Sequence, residues 1–205
     1  MTRCYMLYGA LMNCGDRMQA MILAGGRSSR MGRDKSNLII DGRTLLKITI
    51  DRLVLAGHSK IVILAADEQQ EKSQRDALDG FSCNIQWLLD PIPHQGLIEA
   101  LAHGVRRSDF DQTLPLQLST VDSPWLDHSI YEVLKNAFHE DTEVAIPADH
   151  RLHPLHSLVK SPTILEGINP GDGPLRDQLK KLNSVVIQWP ESELTNLNAP
   201  SDLER

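Results

Sequence analysis

Ala20-Met21-Ile22-Leu23-Ala24-Gly25-Gly26-Arg27-Ser28-Ser29-Arg30-Met31-Gly32-Arg33-Asp34-Lys35 is an apolar run that stops at paired glycines and gives way to a basic turn. Residues 20–24 are short and uniformly apolar, the pattern of a strand buried on both faces. Residues 27–35 are too polar, and too rich in turn formers, to belong to a core element. Paired glycines let backbone approach a ligand closely and turn its N–H groups inward. Arg27, Arg30, Arg33 and Lys35 place four cations within nine residues, with Asp34 the local acid. Guanidinium groups grip phosphate oxygens in pairs, and lysine adds a mobile point charge. The bland alternative is a solvated basic turn between strand and helix; glycines directly after a buried strand favour the anion site.

The spacing excludes two common phosphate loops. Gly32 is followed by Arg33 and Asp34 before Lys35, so the segment is not G-x-x-x-x-G-K-[ST]. It also lacks the G-x-G-x-x-G of dinucleotide sites.

Outward from this stretch, strands and helices alternate. Leu45, Leu46, Ile50, Leu53 and Val54 recur at helical spacing over 43–56, closed by Gly57, and the leucines at 45, 46 and 53 are expected in the core. Residues 61–64 predict a second strand, 67–78 a polar helix, and 85–89 a third strand stopped by Asp90-Pro91. A helix over 97–105 follows, then a strand over 114–121 ending in Asp122-Ser123-Pro124. A helix over 127–138 and a strand over 144–147 continue the series. This alternation predicts one α/β domain with a mainly parallel sheet and helices on both faces. Ligands of such sheets bind beyond the carboxyl ends of the strands. The basic turn, Asp90 and Asp122 all fall there.

At 205 residues the chain suits a single domain over 19–205, with residues 1–18 expected to form a poorly ordered N-terminal extension. A net charge of −6 and 4% aromatic residues argue against a nucleic-acid-binding face. No apolar stretch reaches membrane-span length. Cys4, Cys14 and Cys83 form neither a CxxC pair nor a disulfide framework, which points to a reducing, cytoplasmic setting.

Residues 23–35 closely resemble the signature loop of the molybdenum cofactor guanylyltransferases, nucleotidyltransferases with a Rossmann-like fold. Looser likenesses follow in order: Asp41-Gly42-Arg43-Thr44-Leu45-Leu46, Val121-Asp122-Ser123-Pro124, His153-Pro154-Leu155 and Asn196-Leu197-Asn198-Ala199-Pro200. The resemblance implies transfer of GMP from GTP to molybdopterin, with release of pyrophosphate. It implies that Leu23, Ala24, Gly25 and Gly26 hold the nucleotide through backbone, with Arg27 beside them. It further implies that Lys35 contacts the phosphates, Asp90 helps place the nucleotide, and Asp122 binds Mg²⁺ and triphosphate. Contacts with molybdoenzymes or other cofactor-biosynthesis proteins belong to the same expectation. The chain departs from the family at Gln95-Gly96-Leu97-Ile98-Glu99, where Gly-Pro-Leu-Ala-Gly is usual, at Leu64, where asparagine is frequent, and at Ala199, where threonine is common. Transfer from CTP, transfer to a sugar or other phosphate, and a non-catalytic nucleotide-binding module therefore stay open beside the guanylyl reading.

An acceptor phosphomonoester has a second pKa of about 6 and is largely ionised already. Such a transfer requires no dedicated base; alignment and charge neutralisation suffice. Arg27, Arg30 and Lys35 suit that work, and Asp122 suits a shared Mg²⁺. Lys35, Arg30 and Asp122 are thus the expected catalytic group. Asp-Ser-Pro and Asp-Pro are also ordinary turn formers, so Asp122 and Asp90 carry a structural reading too. His150, His153 and His156 recur every third residue, but Pro154 prevents one helical face; a loop and strand near the acceptor is expected rather than a metal site. The glycines and prolines of 166–176 predict a mobile or tightly turning loop over the acceptor, from which Arg176 could meet an anionic pterin.

Overall fold

The computed structural model describes residues 18–25, 34–78, 84–90, 96–198 and 202. Strand β1 (Met18–Leu23) enters the sheet as expected; Met18, assigned from sequence to the extension, is its first residue. Successive residues of a strand point to opposite faces, and β1 feeds two cores accordingly. Ala20 and Ile22 face one, while Met21 faces the other.

A hairpin of β2 (Ile39–Ile40) and β3 (Arg43–Thr44) follows, joined by Asp41 and Gly42, both at positive φ. That is the conformation a two-residue hairpin turn favours for Asp-Gly. Helix α1 (Leu45–Leu55) starts where the Thr44 hydroxyl accepts the Lys47 N–H at 3.2 Å. Leu45, Leu46, Ile50 and Leu53 are completely buried against the first face, each stabilising the fold by about 1.5–3 kcal/mol. Next come β4 (His58–Ala65), the polar α2 (Glu68–Asp76), β5 (Asn84–Leu89), α3 (Leu97–Arg107), β6 (Leu116–Thr120), α4 (Ser129–Asn136) and β7 (Val144–Ala148). All stand within a few residues of the expected bounds.

The last third departs from expectation. A two-residue strand, β8 (Leu158–Val159), lies between β6 and β7 and runs antiparallel to both. Helix α5 (Thr163–Glu166), α6 (Leu175–Lys181), β9 (Ser184–Gln188) and α7 (Glu191–Leu194) complete the chain. The sheet order is β5-β4-β1-β6-β8-β7-β9, parallel except at β8. The predicted loop over 166–176 is mostly ordered into a 3₁₀ turn (Pro170–Asp172) and the start of α6. Its glycines and prolines cap and turn these short helices instead of freeing the chain. Helices α1 and α4 cover the first face, and α3, α5 and α6 the second.

Candidate active site at the carboxyl edge of the sheet

Strands β1 and β6 end side by side at Leu23 and Thr120, and β5 ends on the same edge at Leu89, beyond β4. The three expected segments leave the sheet there. Leu23 pairs with Leu64 on one side and Thr120 on the other. The Ala24 N–H is donated to the Leu64 carbonyl at 3.0 Å, so the chain becomes free of the sheet only at Gly25. A Cβ on Gly25 would stand 3.1 Å from the Ala66 nitrogen. Gly25 therefore lies against the end of β4 with no room for a side chain. Gly26, Arg27 and Arg30 lie outside the described residues.

The chain is described again at Asp34. One oxygen of this carboxylate accepts the Ser36 N–H at 3.0 Å, capping the 3₁₀ turn Lys35–Asn37, and the other accepts the Gln74 amide at 3.1 Å. Gln74 is buried in α2 and also donates to the Ser36 hydroxyl. The acid beside the four cations thus anchors the turn that presents Lys35. The Lys35 ammonium reaches the Asn198 side-chain carbonyl at 3.3 Å. Two residues earlier, Asn196 accepts from the Ser123 hydroxyl at 3.1 Å, and the Leu197 N–H is donated to the Asp122 carbonyl at 2.6 Å. The C-terminal segment therefore joins Lys35 to the Asp122 turn, across 87 positions of sequence.

Asp122 is half-buried, and one carboxylate oxygen accepts the Thr120 hydroxyl. The carbonyls after it are held from α1: Arg52 donates to Ser123 and to Pro124, each at 3.1 Å. Arg52 is only 5% exposed although it sits on a helix of leucines. The Ser123 hydroxyl also lies 2.9 Å from Nε2 of the buried His156. Burial, reinforced by the charges of Arg52 and His153, pushes His156 down to about 3, so its imidazole is neutral at physiological pH.

The histidine segment forms a turn, as expected: 3₁₀ residues Pro154–His156 precede β8. His153 Nε2 stands 3.0 Å from the Asp149 carboxylate, whereas His150 is exposed beside Asp149 and Glu191. They do not converge on one point. Among the described residues, no group of three or more His, Cys, Asp or Glu could hold a metal ion by itself. A magnesium ion does not need such a group; it takes one or two carboxylates and fills its octahedron with water and phosphate oxygens. Asp122, a hard oxygen donor at a strand end, fits that habit.

Asp90 leaves β5 with its N–H donated to the Ala65 carbonyl at 2.8 Å. Beside it, a cleft of about 380 Å³ opens between α3 and residues 166–170, lined also by Glu99, His103, Arg106 and Asn169. Partial burial and the charges of Arg107 and Arg106 lower the His103 pKa, against the opposing field of Asp90. Arg176 is exposed on the first turn of α6, 3.5 Å from Asp177. The structure thus gathers Leu23, Ala24, Gly25, Lys35 and Asp122 around the ends of β1 and β6, with Asp90 on the same edge beyond β4. Thr120, Arg52 and Gln74 were not anticipated, and His156, expected in a loop and strand near the acceptor, instead backs the Asp122 turn through Ser123. Polar residues within apolar periodic runs, such as Arg52 in α1, are the sequence signal that could have found some of them.

The profile of the MobA-like NTP transferase domain matches residues 20–185. A probable molybdenum cofactor guanylyltransferase from Thermococcus sibiricus is 28% identical, over 92% of this chain and 96% of its own. Another from Synechococcus elongatus is 31% identical, over 89% and 94%. In three dimensions, a nucleotidyl transferase from Methanothermobacter superposes with a TM-score of 0.73 at 21% identity, covering 92% of this chain and 94% of its own. That likeness establishes the shared fold.

Proposed function

This chain belongs to the MobA-like NTP transferase family, and on that premise we propose that it transfers GMP from GTP to molybdopterin, releasing pyrophosphate. The observation that carries the reading is the junction of Lys35 and Asp122 through Leu197 and Asn198. One C-terminal segment thus contacts both the Lys35 ammonium and the main chain of Asp122 at the carboxyl edge of the sheet, where this sheet type binds ligands.

In this reading the backbone grip on the nucleotide begins at Gly25, because the Ala24 amide is already engaged by β4. Leu23 and Ala24 place the start of the loop, and Gly26, Arg27 and Arg30 are assigned to binding the polyphosphate. Lys35 neutralises charge on the reacting phosphoryl group and the departing pyrophosphate. Asp122 holds its carboxylate toward the same phosphates and is the residue that would ligate Mg²⁺. When bound, that ion supplies Lewis-acid charge to phosphate oxygens. Asp90 positions the nucleotide, and the cleft beside it, walled by 166–170, is the space the acceptor enters. Ionised acceptor phosphate attacks the α-phosphorus, the bond to the β-phosphate oxygen breaks, and pyrophosphate leaves. The absence of cysteine pairing motifs and the dependence on soluble substrates support a cytoplasmic setting, in contact with proteins that make or receive the cofactor.

The test is pyrophosphate release from purified protein and Mg²⁺ with each of four nucleoside triphosphates and a panel of acceptors. Release with GTP and molybdopterin alone is the expected result. Release with CTP, or with a sugar phosphate as acceptor, would reassign the substrate. Nucleotide binding without turnover on any acceptor would make the chain a binding module. Lys35→Ala is expected to lower kcat/KM by about 10²-fold or more, the usual scale for losing a charge partner of the transition state.

A further inference from the structure

The turn that carries Asp122 is held from three directions. Arg52 of α1 takes the carbonyls of Ser123 and Pro124, and Leu197 takes that of Asp122. The third hold is through a side chain: the Ser123 hydroxyl sits between His156 Nε2, at 2.9 Å, and Asn196 Oδ1, at 3.1 Å. A serine hydroxyl has one proton, and it is donated to Asn196. His156 must then carry its proton on Nε2 and donate it to the Ser123 oxygen. Its other nitrogen, Nδ1, is buried and has no partner among the described residues. Leaving a buried acceptor unmatched costs about 1–3 kcal/mol, a cost that packing alone gives no reason to bear.

The main chain that carries the imidazole is also fixed. The Gln117 amide, completely buried on β6, donates to the carbonyls of His156 and Ser157 at 2.9 and 3.2 Å. The Leu118 N–H is donated to the Ser157 carbonyl at 2.9 Å. His156 therefore occupies a position set by the sheet. From there it reaches the residue after Asp122, and through it the segment whose Asn198 meets Lys35.

We propose that His156 is a positioning residue, which through Ser123 and Asn196 aims the Asp122 carboxylate and the Asn198–Lys35 contact at one magnesium-nucleotide. This rests on the functional reading above. It adds that the turn between β7 and β8, remote from the phosphate loop in sequence, governs metal-assisted nucleotide binding. His156 acts without touching substrate.

Calorimetric titration of GTP, with and without Mg²⁺, tests this without any acceptor. In the wild-type protein, Mg²⁺ is expected to raise GTP affinity. His156→Leu should reduce that gain about tenfold, the lower end of what partners of metal ligands are worth, with metal-free GTP affinity within about twofold of wild type. His156→Gln, whose amide can donate to Ser123, should restore most of the gain. Ser123→Ala should match His156→Leu, and the double variant should lose no more than either alone. The proposal is overturned if His156→Leu keeps the full gain. It is equally overturned if metal-free affinity and melting temperature fall together and the glutamine variant fails to rescue, since His156 would then be a packing residue. If wild-type protein shows no magnesium-dependent GTP binding, the functional reading fails and this inference falls with it.

Discussion

His58 shows how a single side chain can tie stability to pH. It is 2% exposed, its Nδ1 lies 2.9 Å from the Leu53 carbonyl, and its ring meets Tyr131 edge-on with centroids 5.4 Å apart. Burial pushes its pKa down to about 4; the Leu53 hydrogen bond opposes this and the Lys135 charge adds to it. His156 is lowered further, to about 3. Both are neutral in the folded protein where the unfolded chain, titrating near 6.5, begins to take up protons. Their contribution is complete above about pH 6.5 and is lost as pH falls toward 4 and then 3. Each group should steepen the decline by about 1.4 kcal/mol per pH unit within its window. Urea unfolding between pH 7 and 4.5 measures this: His58→Phe, which keeps an aromatic ring against Tyr131, should flatten the slope by about one proton. An unchanged slope would mean that His58 protonates while folded.

Helix α3 shows what elements ask of one another. Ile98, Leu101 and Val105 face the sheet, and Arg106 and Arg107 complement the negative end of the helix dipole. It packs tightly at Gly104, where a Cβ would stand 3.0 Å from the Met21 methyl and 3.6 Å from a Leu64 methyl. Gly104→Val should push α3 off β1 and β4, costing about 1–3 kcal/mol by overpacking. A lower urea midpoint with the same m-value would show it; an unchanged midpoint would show that Met21 simply moves aside. Leu64 has a clear role in this packing, for it is 2% exposed and belongs to the helix–sheet contact.

The two cores of the whole molecule share one sheet, so neither can open without exposing the back of the other. Trp87, Trp125 and Trp189 all pack against the first core, and their fluorescence reports on that layer, whereas far-UV circular dichroism reports on both. The two signals should trace a single urea transition; a dichroism change that lags the fluorescence would show that the layers unfold separately. Apart from the small β2–β3 hairpin, the architecture from β1 to β7 was legible in the sequence, because helix and strand periods are local and the apolar runs of Ala20, Ile61 and Val144 state them directly. The gathering of Lys35 and Asp122 at one edge was also legible, since strand ends in a parallel sheet share a side. Three things were left to the folded chain: the two-residue β8 wedged antiparallel between β6 and β7, the return of Asn196 and Asn198 to the site, and the buried hold of Arg52 and His156 on the Asp122 turn. Each depends on polar partners tens of residues apart, and a hydrogen bond of that range leaves no period in the sequence from which to predict it.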